Sequence, residues 1–158
     1  MRSLITCATQ THKSTSNQDF CSLVINETAN FKGVIVADGI GSHSRSELSS
    51  KFCTDKIKNE LEQIRKIEDL NFDLLFTQTR DELKSFAQNE LTEDELKNNP
   101  FGTTLICALE FEHEYIFAYV GNGSIWQVSG NFNHFGINRY LPWNTNNLLN
   151  PHTIEEEG

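Results

Sequence analysis

The residues best suited to chemistry lie in the stretch ADGIGSHS at 37–44. Asp38 follows the apolar, β-branched run VIVA, so its carboxylate would stand rigidly at the carboxyl end of a buried strand and face a crevice. Gly39 and Gly41 permit unusual dihedrals and close backbone approach. A carboxylate, the Gly39 carbonyl and neighbouring polar groups make an all-oxygen donor set, which is what a hard divalent cation takes. The same residues also read as an Asp-Gly turn leading into a helix capped by Ser44 or Ser46, with Glu47 at the capping-box position relative to Ser44. Asp19, in SNQDF at 16–20, would add a second carboxylate at the start of another strand; a turn aspartate there is also an ordinary structural choice.

Other chemistries lack their residues. The GIG after the strand has no third glycine for a dinucleotide-binding turn, and no Gly-Lys-Ser/Thr follows to make a phosphate loop. No G-x-S-x-G elbow is present. His43 lies beside the Asp-Gly turn, whereas His12, His113, His134 and His152 are dispersed without H-x-x-x-H spacing. The cysteines show no C-x-x-C; Cys7, Cys21 and Cys107 fall in apolar, strand-like runs and read as small buried hydrophobes in a reducing compartment.

The elements that must position these groups follow from periodicity. Residues 3–8, 20–26 and 31–39 read as strands. Leu48, Phe52, Ile57, Leu61 and Ile64 trace the apolar stripe of one helix, and Phe72, Leu75, Phe76, Leu83, Phe86 and Leu91 that of a second, with a short acidic helical turn at 92–100. The period then switches to two. Residues 102–111, 114–121 and 124–130 read as a meander of strands with tight hairpins at 112–114 and 121–123. Residues 132–136 make a further short strand, before an irregular Asn-rich tail. Strands, two helices, then antiparallel strands specify an α+β layered domain rather than alternating βαβ units.

At 158 residues the chain is expected to be a single domain, 1–158. A net charge of −9 argues against nucleic acid or an anionic membrane as partner and would suit a cation. No run approaches the ~18 apolar residues of a membrane span, and the N-terminus has no apolar core of a secretory signal. The expected location is the cytoplasm.

Taken together, N-Q-D-F (17–20), V-I-V-A-D-G-I-G-S-H (34–43), F-G-T-T (101–104) and Y-V-G-N-G-S (119–124) resemble, in order, the first motifs of the metal-dependent protein phosphatase family, PPM or protein phosphatase 2C, in its bacterial type. The family patterns are roughly Arg-x-x-Asn-Glu-Asp, Val-x-Asp-Gly-x-Gly-Gly-His, Gly-Thr-Thr and Val-Gly-Asp-Ser-Arg. The resemblance implies an antiparallel β-sandwich flanked by helices, in α-β-β-α layers, with two Mg²⁺ or Mn²⁺ ions at one end. It implies that Asp38 bridges the metals, that the Gly39 carbonyl ligates one of them, and that Asp19 holds coordinated water or otherwise assists. His43 would support these ligands. The activity implied is hydrolysis of phosphoserine and phosphothreonine proteins, with no enzyme nucleophile required.

Several positions depart from the patterns. The family's phosphate-binding Arg falls at Ser14, leaving neighbouring Lys13 as a candidate point charge without a bidentate fork. Gln18 replaces a Glu, and Asn122 replaces the Asp that supports a further metal, so the site loses negative charge. After Asp94 the chain contains no Asp at all, although the family's later metal-binding aspartates come from C-terminal motifs. Thr153 with Glu156 has the form of a capping box at a helix start close to Gly158. The expectation is a truncated domain, the N-terminal two-thirds of a phosphatase left by fragmentation or a split gene, whose missing C-terminal segment is a partner. The alternatives are a non-catalytic PPM-like module that binds a phosphoprotein or other partner, and an unrelated α+β binding domain with an incidental Asp-Gly turn.

Overall fold

Strict alternation of inward and outward side chains along Phe31–Asp38 makes this run strand β2: Phe31, Gly33, Ile35 and Ala37 are buried, and the residues between them are not. The computed structural model describes residues 5–10, 17–43, 45–98, 101–129 and 144–147. The chain divides into two compact units, Met1–Val120 and Gly121–Gly158.

In the first unit β2 is flanked by β1 (Asp19–Asn26) and β3 (Leu105–Phe111), and β4 (Glu114–Val120) completes a four-stranded sheet in the order β1-β2-β3-β4. Every pairing is antiparallel. The two hairpin turns use left-handed residues, Asn30 at φ 57° and Glu112 at φ 53°. Helices α1 (Ser46–Gln63), α2 (Phe72–Glu90) and α3 (Glu93–Asn98) follow β2, with a single 3-10 turn at Ile67–Asp69. Val24, Phe31, Ile35, Ala37, Leu105, Cys107 and Leu109 meet Cys53, Ile57 and Leu61 of α1 and Leu75 and Leu83 of α2 in one core. Phe52 stacks on Phe86 with centroids 4.7 Å apart, and Lys56 bridges Glu60 (2.8 Å) and Glu82 (2.9 Å), so ring and charge contacts fasten α2 to α1.

The opposite face of the sheet is also apolar. Leu23, Ile25, Val36, Tyr115 and Phe117 are exposed there, the character of a sheet layer in a sandwich rather than of one that faces water. In the second unit β5 (Trp126–Ser129) pairs antiparallel with β6 (Asn144–Asn147). Among the described residues no helix is long and apolar enough to cross a membrane.

The expected α+β class and antiparallel sheet are present, and the two long helices begin within two residues of their expected starts. Four local expectations change. Residues 5–8, read as part of a strand, have no regular structure among those described. β5 is bonded to β6 rather than to β4; Gly121 at φ 89° and Gly123 at φ 151° turn the backbone where a hairpin was expected. β6 lies in the Asn-rich tail read as irregular, where the poor strand propensity of Asn hides it. Ser46 does not cap α1: the N-cap is Arg45, left-handed at φ 55° with no side-chain cap, and Ser46 is already helical. Ser44, the 132–136 strand and the helix start at Thr153 lie outside the described residues.

One buried polar residue ties sheet to helix. Asn26, at the end of β1, donates from Nδ2 to the carbonyls of Leu61 and Ile64 (both 2.8 Å) and accepts from the Ala29 N–H at 2.8 Å. It therefore serves two carbonyls at the α1 C-terminus, that of Ile64 and that of Leu61, which otherwise takes only a long bond of 3.4 Å from the Ile64 N–H. Asn26→Ala is expected to destabilise the fold by about 2 kcal/mol, because buried carbonyls would lose their donors. A urea midpoint lowered by about 1 M would be the readout. A midpoint shift indistinguishable from zero would show that water replaces the amide.

Candidate metal centre

Antiparallel register places the two carboxylates opposite one another. Asp19, the first residue of β1, pairs with Asp38, the last of β2, and cross-strand partners on one face are close neighbours. Partial loss of solvent, then the hydrogen bond with Asp19 and the charge of Asp19, hold the Asp38 carboxyl above its usual range. Two acids forced together in this way either share a proton or hold a cation between them.

The backbone around Asp38 is fixed from three sides. Its N–H donates to Thr104 Oγ1 (3.1 Å), and its carbonyl accepts from the Thr104 N–H and the Thr103 hydroxyl (both 2.9 Å). Gly39 N–H donates to the Gln18 carbonyl at 3.1 Å, and Ile40 N–H to the Gly102 carbonyl at 3.3 Å. None of these bonds uses the Gly39 carbonyl. Asp19 is set by an Asx turn, its N–H donating to Asn17 Oδ1 at 3.1 Å, while Asn17 Nδ2 donates to Thr9 at 2.7 Å.

Helix α1 closes the site from behind with small residues. Ser46, Ser49, Ser50 and Thr54 are fully buried on its first turns. Ser50 Oγ lies 2.6 Å from the Gln18 carbonyl, and Ser49 Oγ lies 2.7 Å from that of Gly102. The apolar stripe expected from Leu48 and Phe52 is therefore only half the story. The helix turns a serine-rich face to the site, because larger side chains would hold it away from Gly39.

The expected residues are thus partly assembled. Asp19, Asp38, Gly39 and Gln18 come together, with the Gln18 amide oxygen against Gly41. His43 ends the same turn; its N–H donates to the Ile40 carbonyl at 2.8 Å, and its Nδ1 is buried with no partner among the described residues. Lys13 lies outside the described residues. Asn122 is exposed and belongs to the second unit. Thr103, Thr104, Ser49 and Ser50 hold the turn but were not singled out as site residues. For the threonines a signal existed in the Gly-Thr-Thr motif; for the serines only the absence of bulk gave one.

The donor set fits one hard divalent cation: two facing carboxylates, a carbonyl and a neutral amide oxygen. It does not complete a two-ion centre, since among the described residues no three His, Cys, Asp or Glu side chains cluster.

The profile of the protein phosphatase 2C family matches residues 8–141. The chain belongs to that family. Phosphatases of this family are in general metal-dependent, and the Asp19–Asp38 end of the sheet is where this member offers carboxylates. The fold also matches solved structures. One, described as a bacterial serine phosphatase, is 25% identical with a TM-score of 0.64 over 87% of this chain and 50% of its own. Another, the serine/threonine phosphatase Stp1 from Staphylococcus aureus, is 29% identical with a TM-score of 0.55 over 82% of this chain and 47% of its own. The chain therefore spans about half the length of the phosphatases it matches. No curated protein sequence matches it.

Proposed function

We propose that this chain is the N-terminal, cation-holding part of a bacterial-type serine/threonine phosphoprotein phosphatase acting in the cytoplasm, and that it is incomplete as a catalyst by itself. The observation that carries this reading is the facing pair Asp19–Asp38, set in register by β1 and β2 and locked by Thr103, Thr104 and Gly39. Mg²⁺ or Mn²⁺ bound here would make water acidic enough to act as hydroxide near neutral pH and would neutralise phosphoryl oxygens. Asp38 and Asp19 supply the charge that holds the ion, and the Gly39 carbonyl and Gln18 amide offer oxygens without charge. Lys13 is the candidate for orienting a phosphate. The lack of any Asp after Asp94, in a chain that spans about half the length of the phosphatases it matches, supports further carboxylates supplied by the other half.

Mn²⁺ titration of the chain by calorimetry, paired with hydrolysis of an aryl phosphate, tests this. Weak binding, with Kd roughly 10⁻⁴–10⁻³ M for so few charged ligands, and little or no turnover are expected. Absence of binding at millimolar Mn²⁺ would remove the cation-holding role. Vigorous turnover that depends on Asp38 would remove the claim of incompleteness. The second reading, a non-catalytic module that binds a phosphoprotein, is favoured by the lack of a third carboxylate beside the pair among the described residues. Capture of a phosphoserine peptide without cation dependence would select it.

A further inference from the structure

Two positions carry the same latent backbone chemistry, and the fold treats them oppositely. Asn122 is the one asparagine in the sequence followed by glycine, and Asp38 is the one aspartate so followed. In such a pair the glycine nitrogen can close on the carbonyl carbon of the preceding side chain to form a cyclic imide, because the glycine has no Cβ to obstruct the approach. At Asp38–Gly39 the backbone is held out of that reaction. The Gly39 N–H donates to the Gln18 carbonyl at 3.1 Å, Gly39 bridges to Thr103, and the Asp38 carbonyl accepts from the Thr103 hydroxyl and the Thr104 N–H (both 2.9 Å). A nitrogen whose proton is engaged, on a backbone pinned from both sides, does not attack.

Asn122 is in the opposite condition. It is exposed, in the bend between β4 and β5, and the Gly123 after it is exposed too. Gly121 at φ 89° and Gly123 at φ 151° flank it, so neither neighbour in the chain brings a side chain against the amide. Among the described residues no backbone bond holds the Gly123 N–H.

We propose that Asn122 is a site of spontaneous deamidation, which converts it to aspartyl and isoaspartyl forms two residues after the first unit ends at Val120. Water is the only co-reactant. Base takes the Gly123 amide proton, the nitrogen bonds to the side-chain carbonyl carbon of Asn122, and the bond from that carbon to the amide nitrogen breaks, releasing ammonia with a proton. Water then adds to either carbonyl of the succinimide ring, and the ring C–N bond at that carbon breaks. Nothing is oxidised or reduced. Opening at the side-chain carbonyl leaves aspartate; opening at the backbone carbonyl leaves isoaspartate, whose main chain runs through the side-chain methylene. Either product adds a negative charge to a chain of net charge −9, and the isoaspartyl form lengthens the connection between β4 and β5.

The test is incubation of the 158-residue chain in warm, mildly alkaline buffer, folded and, in parallel, unfolded in guanidinium chloride. Peptide mass analysis and labelling by a protein isoaspartyl methyltransferase are the readouts. In the folded chain the Asn122 peptide should gain about 1 Da and take methyl label, at a rate within about threefold of that in denaturant, since a segment that needs no opening reacts as the unfolded chain does. The Asp38 peptide should take label only in denaturant. Asn122→Gln, whose imide ring would be one atom larger and slower to close, should melt like the unaltered chain and show neither change at 122. An Asn122 peptide that keeps its mass in the folded chain, or an Asp38 peptide that labels as fast as it does there, would overturn the proposal.

Discussion

Asp38→Asn is expected to lower Mn²⁺ affinity by at least about tenfold, or about 1.4 kcal/mol, while leaving the metal-free protein as stable as before or more so. The two effects have opposite sign because they share one cause. Asp38 faces Asp19 across the β1–β2 pair, and the two acids crowd one another when nothing lies between them. Like charges directly opposite in a sheet destabilise it, so removing one should return roughly 0.2–1 kcal/mol, or about 1–3 °C in melting temperature for a chain of this size. The asparagine amide can then donate to Asp19. The same substitution takes away the charge that would hold a cation, so addition of Mn²⁺ should no longer raise the melting temperature. An aspartate that served only the turn would behave otherwise. Its backbone bonds to Thr103 and Thr104 do not need the carboxylate, so the substitution would change neither quantity by much. Parallel melts of both proteins with and without Mn²⁺ separate the cases, and an unchanged Mn²⁺ response in Asp38→Asn would defeat the metal-site reading.

What could be read from the sequence followed the strength of local pattern. β2 declared itself because an apolar run ending in Asp-Gly has few other uses, and α2 because its phenylalanines and leucines repeat at helical spacing. The pairing of Asp19 with Asp38 was only implied by resemblance. Register is a non-local property, fixed here by the turn at Glu27–Asn30 that folds β1 back on β2. The buried face of α1 was half missed, since Ser46, Ser49, Ser50 and Thr54 look like solvent-facing residues until a close glycine explains their size. Asn26 was invisible for a related reason: a single polar residue in a strand gives no sign that it reaches the end of a helix.

Gly39→Ala is expected to destabilise the protein by about 3 kcal/mol, more than most single substitutions of similar size. A Cβ built at Gly39 would lie 2.7 Å from the Gln18 carbonyl oxygen, 2.8 Å from that of Ser46 and 3.0 Å from the Ser46 carbonyl carbon. All three are backbone atoms, belonging to the approach to β1 and to the first turn of α1. No side chain can swing aside, so either the helix or the β1 start must move. Movement of the helix would break the Ser50 contact with Gln18 and the Ser49 contact with Gly102, both of which depend on the same close approach. Movement of the β1 start would shift Asp19 against Asp38 and lose the Gly39 N–H bond to Gln18. The expected result is a urea midpoint lowered by roughly 1–2 M, together with a weakened Mn²⁺ response in whatever fraction remains folded. Gly41→Ala is the matched control. Its added methyl would meet only the flexible Gln18 amide oxygen, at 3.4 Å, an ordinary contact, so its midpoint should stay near that of the unaltered chain. Equal losses at the two glycines would mean that chain flexibility rather than the packing of α1 against Gly39 governs this turn. A large loss at Gly39 alone would show that the small-residue face of α1 exists to bring the helix close behind the two carboxylates.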